Sequence, residues 1–179
     1  MRILLGTISV LLLFLASAAI AQTGPLGERT VLDGRIDILI PDDFEEMAPD
    51  LLRFKYPSEN RPTLVFTNPD GSINVGFNHT NTSANPDQLP DFHHALDTFL
   101  RGVHKRATWH ESTIREINGR QFLFFDFISQ AFDTRIRNMI LGTSLDNRLL
   151  LITFNVTSEL EEEWAETGKR IVASINISD

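Results

Sequence analysis

The chain has 179 residues, of which 42% are hydrophobic, 13 are phenylalanine and none is cysteine. This composition excludes disulfides, thiolate metal sites, cysteine nucleophiles and an intrinsically disordered chain, and the length allows one domain with a sizeable core. The formal net charge of −8 argues against a nucleic-acid partner, because surfaces that bind phosphates need clustered Lys and Arg.

The first 21 residues are predicted to be a cleaved export signal. Arg2 is a short positive region, an apolar stretch follows with its centre at 11–15, and Ala-Ile-Ala at 19–21 is a small-x-small cleavage signature. The apolar centre is short for a membrane span of about 20 residues, so cleavage is favoured over an uncleaved anchor. We therefore expect a periplasmic or secreted protein without a stable membrane anchor.

The sequence after the signal predicts a short leader and one domain. Residues 22–29 contain two Gly and one Pro and are predicted to be a flexible leader, and residues 30–179 are predicted to form a single α+β domain. The domain is expected to open with a hairpin that turns at Asp33-Gly34 and whose second strand is stopped by Pro41.

Short helical turns and a second hairpin are predicted next. Asp42 and Glu45 have the spacing of a capping box and indicate a short helix, and Pro49 starts a further helical turn. Asn-Pro-Asp-Gly at 68–71 is a strong turn sequence and predicts a hairpin within residues 63–78.

A helix from Pro90 to His104 is predicted to lie on the surface with one buried face. At 100° per residue, the apolar side chains that fall within about 60° of one another are Phe92, Leu96, Phe99 and Val103. We expect these four side chains to form the buried face, because the opposite side of the helix is polar.

The following fifty residues predict a four-stranded antiparallel meander. Its strands are expected at residues 108–117, 121–129, 134–145 and 148–156. Asn118-Gly119 and Asp146-Asn147 have the residue types of two-residue hairpin turns. Apolar side chains alternate onto both faces of the second strand, so the sheet is expected to be covered on both sides.

A final helix is predicted to begin with a capping box formed by Ser158 and Glu161. Its inner stripe is expected to contain Leu160, Trp164, Gly168, Ile171, Val172 and Ile175. The glycine in that stripe would let the helix approach the sheet closely.

The first candidate binding site is a row of charges across the meander. Counting outward from Asn118-Gly119 places Glu111 opposite Asp126, and counting across the next connection places Arg137 near Asp126. Two interpretations are open. The favoured one is an Asp–Arg ion pair at the rim of the sheet, and the other is a carboxylate pair of the kind used in general acid–base catalysis.

The second candidate is a basic cluster at the end of the predicted central helix. Its members are Arg101, His104, Lys105 and Arg106. These side chains either interact favourably with the dipole at the helix C-terminus or contact an anion or an acidic partner.

No motif in the sequence assigns catalytic residues, a metal or a cofactor. The glycine-rich phosphate loop, the nucleophile elbow and the paired-histidine zinc motif are all absent from it. His93 and Asp97 are four residues apart and could form an ion pair, but the histidines lack the spacing of metal ligands. A Ser-His-Asp triad stays open because the order of its members varies between folds. We expect no metal and no cofactor.

Three short patterns and the order of the elements carry a resemblance. The patterns are Ile38-Leu39-Ile40-Pro41-Asp42-Asp43-Phe44, Phe54-Lys55-Tyr56-Pro57 and Asn118-Gly119-x-x-Phe122. Over most of residues 30–176 the chain resembles the PsbP-like fold group, which includes photosystem extrinsic proteins and bacterial DcrB-type exported proteins. The resemblance implies an α/β/α sandwich with a mainly antiparallel sheet. It implies a binding, chaperone or assembly role more than catalysis, and it carries over no catalytic residues.

Three functions are therefore considered, in order of preference. The first is a non-enzymatic exported module that binds another envelope or secreted protein. The second is a small-ligand or ion-binding protein with a pocket between sheet and helix. The third is a hydrolase that uses Glu111, Asp126 or a histidine. An exposed apolar patch would favour the protein-binding module. A pocket with convergent polar groups would favour the small-ligand or ion-binding protein. A carboxylate pair or a His–acid pair in a cleft would favour the hydrolase.

Overall fold

Ten strands and three helices are present in the computed structural model, which describes residues 24–131 and 133–178. The strands are β1 Leu26–Val31, β2 Ile36–Pro41, β3 Glu45–Glu46, β4 Leu64–Thr67, β5 Ile73–Ser83, β6 Thr108–Ile117, β7 Arg120–Gln130, β8 Arg135–Leu145, β9 Arg148–Thr157 and β10 Asn176–Ile177. The helices are α1 Pro49–Lys55, α2 Leu89–Val103 and α3 Glu161–Ser174. The predicted export signal at 1–21 lies outside the described residues.

The strands form one large and one small antiparallel sheet. The large sheet has the order β3-β4-β5-β9-β8-β7-β6, and the small sheet has the order β1-β2-β10. Helix α2 packs on β6 and β7, whereas α3 packs on β9 and on β2 of the small sheet. The predicted α+β fold, with its C-terminal meander and its antiparallel sheet flanked by helices, is confirmed.

The alternation along β7 divides the core between the two faces of the large sheet. Phe122 and Phe124 belong to the larger cluster, under α3 and the small sheet. Leu123, Phe125 and Phe127 belong to a second cluster, under α2. Successive side chains of a strand point to opposite faces, so one strand with four consecutive apolar residues and a further phenylalanine beyond them supplies both cores.

Two predictions near the N-terminus are wrong. Strand β1 begins at Leu26 and pairs with β2 up to Pro41, so residues 26–29 belong to the folded domain and not to a flexible leader. No helix starts at Asp42, because Glu45–Glu46 instead pair with β4 as strand β3. At Glu45–Glu46 the pairing with β4, which local sequence does not reveal, decides the conformation, and at residues 26–29 the predicted hairpin pairs over a greater length than expected.

The buried face of α2 differs from the predicted one. Its inner side is formed by Leu89, Leu96 and Leu100, and Phe92 is half-buried beside them. Phe99 lies about 80° from the centre of that side and is 62% exposed. Val103 shares the azimuth of Leu96 but is 58% exposed, so the sheet does not cover the last helical turn.

The predicted capping box of α3 is also wrong. Leu160 occupies the N-cap position, and no side chain caps the helix there. The backbone N–H of Ser158 donates to the carbonyl of Arg135, and the side chain of Glu161 accepts from Arg137. Ser158 and Glu161 therefore bond to residues of β8, and the reciprocal side-chain hydrogen bonds of a capping box do not form.

Candidate functional site

A cleft of about 430 Å³ opens between α3 and the β6–β7 hairpin. Its floor is apolar and contains Phe124, Met139 and Val172, all of which are buried. Its polar rim contains Glu111, Arg115, Glu116, Asn118, Asp126 and Lys169. The cleft holds two of the three residues of the predicted charge row, and it lies between sheet and helix as the sequence suggested for a pocket.

The predicted register of the charge row is confirmed. Glu111 stands opposite Asp126 in the β6–β7 ladder. Arg137 donates from Nε to Oδ1 of Asp126 at 3.0 Å and from Nη2 to Oδ2 at 2.7 Å, and its Nη1 reaches Oε1 of Glu161 at 3.1 Å. The Asp126 carboxylate raises the pKa of Arg137. The bidentate pair lies within the sheet, and the third contact of Arg137, with Glu161, joins the sheet to the first residue of α3.

The two carboxylates of the row do not form an acid–base pair. Glu111 accepts from Nη2 of Arg115 at 2.5 Å, and the Arg115 guanidinium lies 3.6 Å from the centre of the Phe124 ring. Each carboxylate is thus held by its own arginine, and both oxygens of Asp126 are engaged by Arg137. A general acid or base needs a group free to exchange a proton with substrate, so this geometry favours the structural ion pair.

Strand β6 is an edge of the large sheet, with β7 on one side and no strand of the described chain on the other. The residues that flank a two-residue hairpin turn exchange both backbone hydrogen bonds, and such pairs alternate along the ladder. Because Ile117 and Arg120 flank the turn, Ser112, Ile114 and Glu116 direct their N–H and C=O groups away from β7. This free edge borders the cleft.

A polar network beneath α2 was not predicted from the sequence. Ser112 Oγ donates to Oδ1 of Asp97 at 2.6 Å and lies 3.1 Å from Nε2 of His93. The His93 ring stacks on Phe125 at 5.1 Å, and Asp97 also accepts from Arg101 at 2.8 Å. The Arg101 hydrogen bond lowers the pKa of Asp97, and the Ser112 hydroxyl adds to this effect. The hairpin register places Ser112 opposite Phe125, a signal that could have revealed the site.

This network contains a serine, a histidine and an aspartate but not the geometry of a nucleophilic triad. In such a triad the hydroxyl donates to the histidine, and the aspartate orients the histidine ring. Here the hydroxyl donates to Asp97, so the imidazole must itself donate to Ser112. The arrangement fixes α2 on β6 and leaves Ser112 without a base.

In the structure, the four residues of the predicted basic cluster lie in different surroundings. Arg101 pairs with Asp97 and lies 4.1 Å from the centre of the Trp109 ring. His104 packs against Phe127 at 5.3 Å between ring centres. Lys105 and Arg106 are exposed, make no ion pair within the described residues, and line a second cleft of about 280 Å³ with Gln130 and Ala131.

Burial lowers the pKa of His104, which predicts a pH-dependent contribution to stability. Because the pKa of His104 is lower in the folded protein, the unfolded chain binds the imidazole proton more tightly. The contribution of neutral, buried His104 to stability is therefore complete above the ordinary pKa of about 6.5 and is lost as the pH falls below that value. Replacing His104→Phe should reduce the loss of stability between pH 7 and 5, measured by urea unfolding. An unchanged pH dependence would show that this imidazole is not responsible.

The described residues hold no group of three or more His, Cys, Asp or Glu that could bind a metal ion. Among the helices of residues 24–131 and 133–178, none is long and apolar enough to cross a membrane.

Comparison with known proteins finds no matching family model and no matching curated protein. The fold does match the solution structure of cyanobacterial PsbP (CyanoP) from Synechocystis, with a TM-score of 0.61 and 11% sequence identity over 92% of this chain and 99% of that one. The chain has a PsbP-like fold. The resemblance inferred from the sequence is therefore confirmed.

Two further structures share this PsbP-like fold. One is a protein from Bacteroides thetaiotaomicron, with a TM-score of 0.55 and 13% identity over 88% of this chain and 50% of that chain. The other is LpqN, involved in cell envelope biogenesis of Mycobacterium tuberculosis, with a TM-score of 0.51 and 11% identity over 86% of this chain and 92% of that one. At these identities the likeness shows the fold alone.

Proposed function

We propose that this protein is an exported, non-catalytic binding module that holds an extended segment of another exported protein along β6. The observation that supports this proposal most directly is a free sheet edge that borders a cleft with an apolar floor and a charged rim. Export is supported by the signature at residues 1–21. The envelope role of LpqN, which has the same fold, agrees with it.

The edge of β6 offers backbone recognition. The outward N–H and C=O groups of Ser112, Ile114 and Glu116 can pair with a segment that adds to the sheet as an eighth strand. Side chains of an added strand alternate between the two faces, so every second one would point to the α3 side. Phe124 lies on that side, at the floor of the cleft. The backbone thus provides affinity, and the cleft selects an apolar side chain.

The rim of the cleft adds a charge requirement. Glu111 is paired with Arg115, and Lys169 is paired with Glu166 at 2.6 Å. Glu116 borders the cleft at the sheet edge, is exposed and makes no ion pair among the described residues, and its side chain lies on the α2 side of β6, as do those of Ser112 and Ile114. A segment with an apolar residue for the floor and a cation at an adjacent position, which would point to the other face beside Glu116, therefore fits best.

Replacing Glu116→Pro tests the proposal, because proline removes an outward N–H without removing a hydrogen bond to β7. The matched control, Glu116→Ala, keeps the N–H and removes only the carboxylate. We expect capture of the partner from envelope extract to fall about tenfold with Glu116→Pro relative to Glu116→Ala. Capture is quantified by mass spectrometry, and affinity is then measured with the purified partner.

Equal capture by both variants would overturn the strand-addition mechanism. The convergence of Arg115, Asn118 and Lys169 on the cleft supports a second candidate, a small-molecule site. Recovery of the protein alone with a copurified small molecule would favour that candidate. Displacement of the molecule by Ala173→Arg, which adds a long side chain at the mouth of the cleft, would place it there. Ala95→Arg on the exposed side of α2 is the matched control.

A further inference from the structure

The last turn of α2 exposes apolar side chains that the fold does not use. Phe99 is 62% exposed and Val103 is 58% exposed, and both belong to the four exposed large hydrophobic residues of the described chain. They are four residues apart, so they lie on neighbouring turns on the same side of the helix. Exposed apolar side chains gathered in one place mark an interaction surface more often than scattered ones do.

Cations adjoin these apolar side chains. Lys105 and Arg106 follow the end of α2, are exposed, and make no ion pair within the described residues. Arg135 lies close by, because its Nη2 contacts Oγ1 of Thr108 at 3.3 Å. The second cleft, described above, contains Val103, Lys105 and Arg106 in its lining, so an anionic group could enter between the apolar and cationic side chains.

Acidic groups near this surface are few. Asp97 is engaged by Arg101 and Ser112. Asp133 follows the cleft-lining Ala131 in the loop after β7, and Glu159 accepts from Oγ1 of Thr134 beside Arg135. The acidic start of α2 at Asp91 is about 20 Å from its end along the axis. That distance exceeds two Debye lengths at physiological salt, where one is about 8 Å. A cationic surface therefore persists locally on a protein with a net charge of −8.

We propose that Phe99, Val103, Lys105 and Arg106, together the α2-end patch, dock the protein reversibly on a membrane surface that contains anionic lipids. Phe99 and Val103 enter the boundary between headgroups and acyl chains, and the two cations contact lipid phosphates. A membrane fits better than an acidic protein, because two exposed apolar side chains at the uncovered end of α2 are followed directly by two exposed cations, so that one contact offers both an apolar and a cationic edge. Two cations and two apolar groups give weak binding, unlike a stable anchor.

Co-sedimentation with vesicles tests the cationic half of the patch. The protein is purified in the form released to the envelope by cells that express the whole chain. Phosphatidylcholine vesicles with 30% phosphatidylglycerol (about one anionic lipid in three, as in a strongly anionic leaflet) are compared with pure phosphatidylcholine. Arg106→Glu should weaken binding to the anionic vesicles by at least about fivefold. Arg170→Glu, at an exposed site on α3, changes the net charge equally and should bind like the unmodified protein.

The apolar half of the patch is tested with Phe99→Ser and Phe99→Leu. The serine variant should bind about tenfold more weakly, whereas the leucine variant should retain most binding, because it keeps a large apolar side chain. Circular dichroism and thermal unfolding verify that each variant is folded, as expected at exposed positions. Absence of binding to anionic vesicles, or equal binding by Arg106→Glu and Arg170→Glu, would overturn the proposal. So would an acidic protein that binds the patch while vesicles do not.

Discussion

Replacing Arg137→Met should lower the free energy of unfolding by about 3–5 kcal/mol, because it leaves the carboxylate of Asp126 buried without its partner. The side chain of Asp126 is 10% exposed and that of Arg137 is 12% exposed. The substitution also removes the contact with Glu161, which ties the start of α3 to the sheet. Urea unfolding measures the effect as a lower midpoint with an unchanged dependence on denaturant.

Two comparisons separate this effect from a general loss of charge. Arg53→Met removes an arginine from the exposed pair with Asp50 and should cost less than about 1 kcal/mol. The double variant Arg137→Met with Asp126→Leu replaces both buried partners by apolar groups and should recover most of the loss. If Arg137→Met cost no more than Arg53→Met, the buried pair would contribute nothing measurable to stability.

Local chemistry explains why the meander and the charge row were predictable. Asn118 and Gly119 have φ values of 48° and 80°, which Asn and Gly adopt more readily than other residues. Once that turn is placed, an antiparallel ladder determines the cross-strand pairs from Ile117 back to Glu111, including Glu111 with Asp126, and the register shifts only beyond that point. The hairpin register therefore followed from a two-residue turn and a count along two strands, and the ion pair from a further count across the β7–β8 connection.

Contacts between distant parts of the chain explain what was missed. Glu161 is 24 residues from Arg137 in the sequence. A local capping box was the simpler prediction, because local sequence does not show that β8 lies beside the start of α3. Likewise, Ser112 is 15 residues from Asp97, and only the packing of α2 on β6 joins them. The same packing decides which side of α2 is buried. Helical periodicity identified an apolar arc but not which part of it the sheet covers.

Gly168→Ala should lower the free energy of unfolding by about 1–3 kcal/mol, although alanine is the better helix former. A Cβ atom at this position would lie 2.6 Å from Cε1 and 2.9 Å from Cδ1 of Phe154. That ring is 1% exposed on β9, at the centre of the larger core cluster, and cannot move aside without displacing its neighbours. The cost of overpacking therefore exceeds the gain in helix propensity, and urea unfolding should report the difference.

Gly102→Ala is the matched control, since Gly102 also lies in a helix but a Cβ there would meet nothing within 4 Å. Only the helix propensity then changes, and the variant should gain up to about 1 kcal/mol of stability. The two Gly→Ala substitutions are thus expected to have opposite signs. A gain at both positions would mean that α3 can withdraw from β9, and that Gly168 does not set the separation between helix and sheet. Opposite signs would show that this separation, on which the floor of the cleft at Val172 also depends, is fixed by a single missing methyl group.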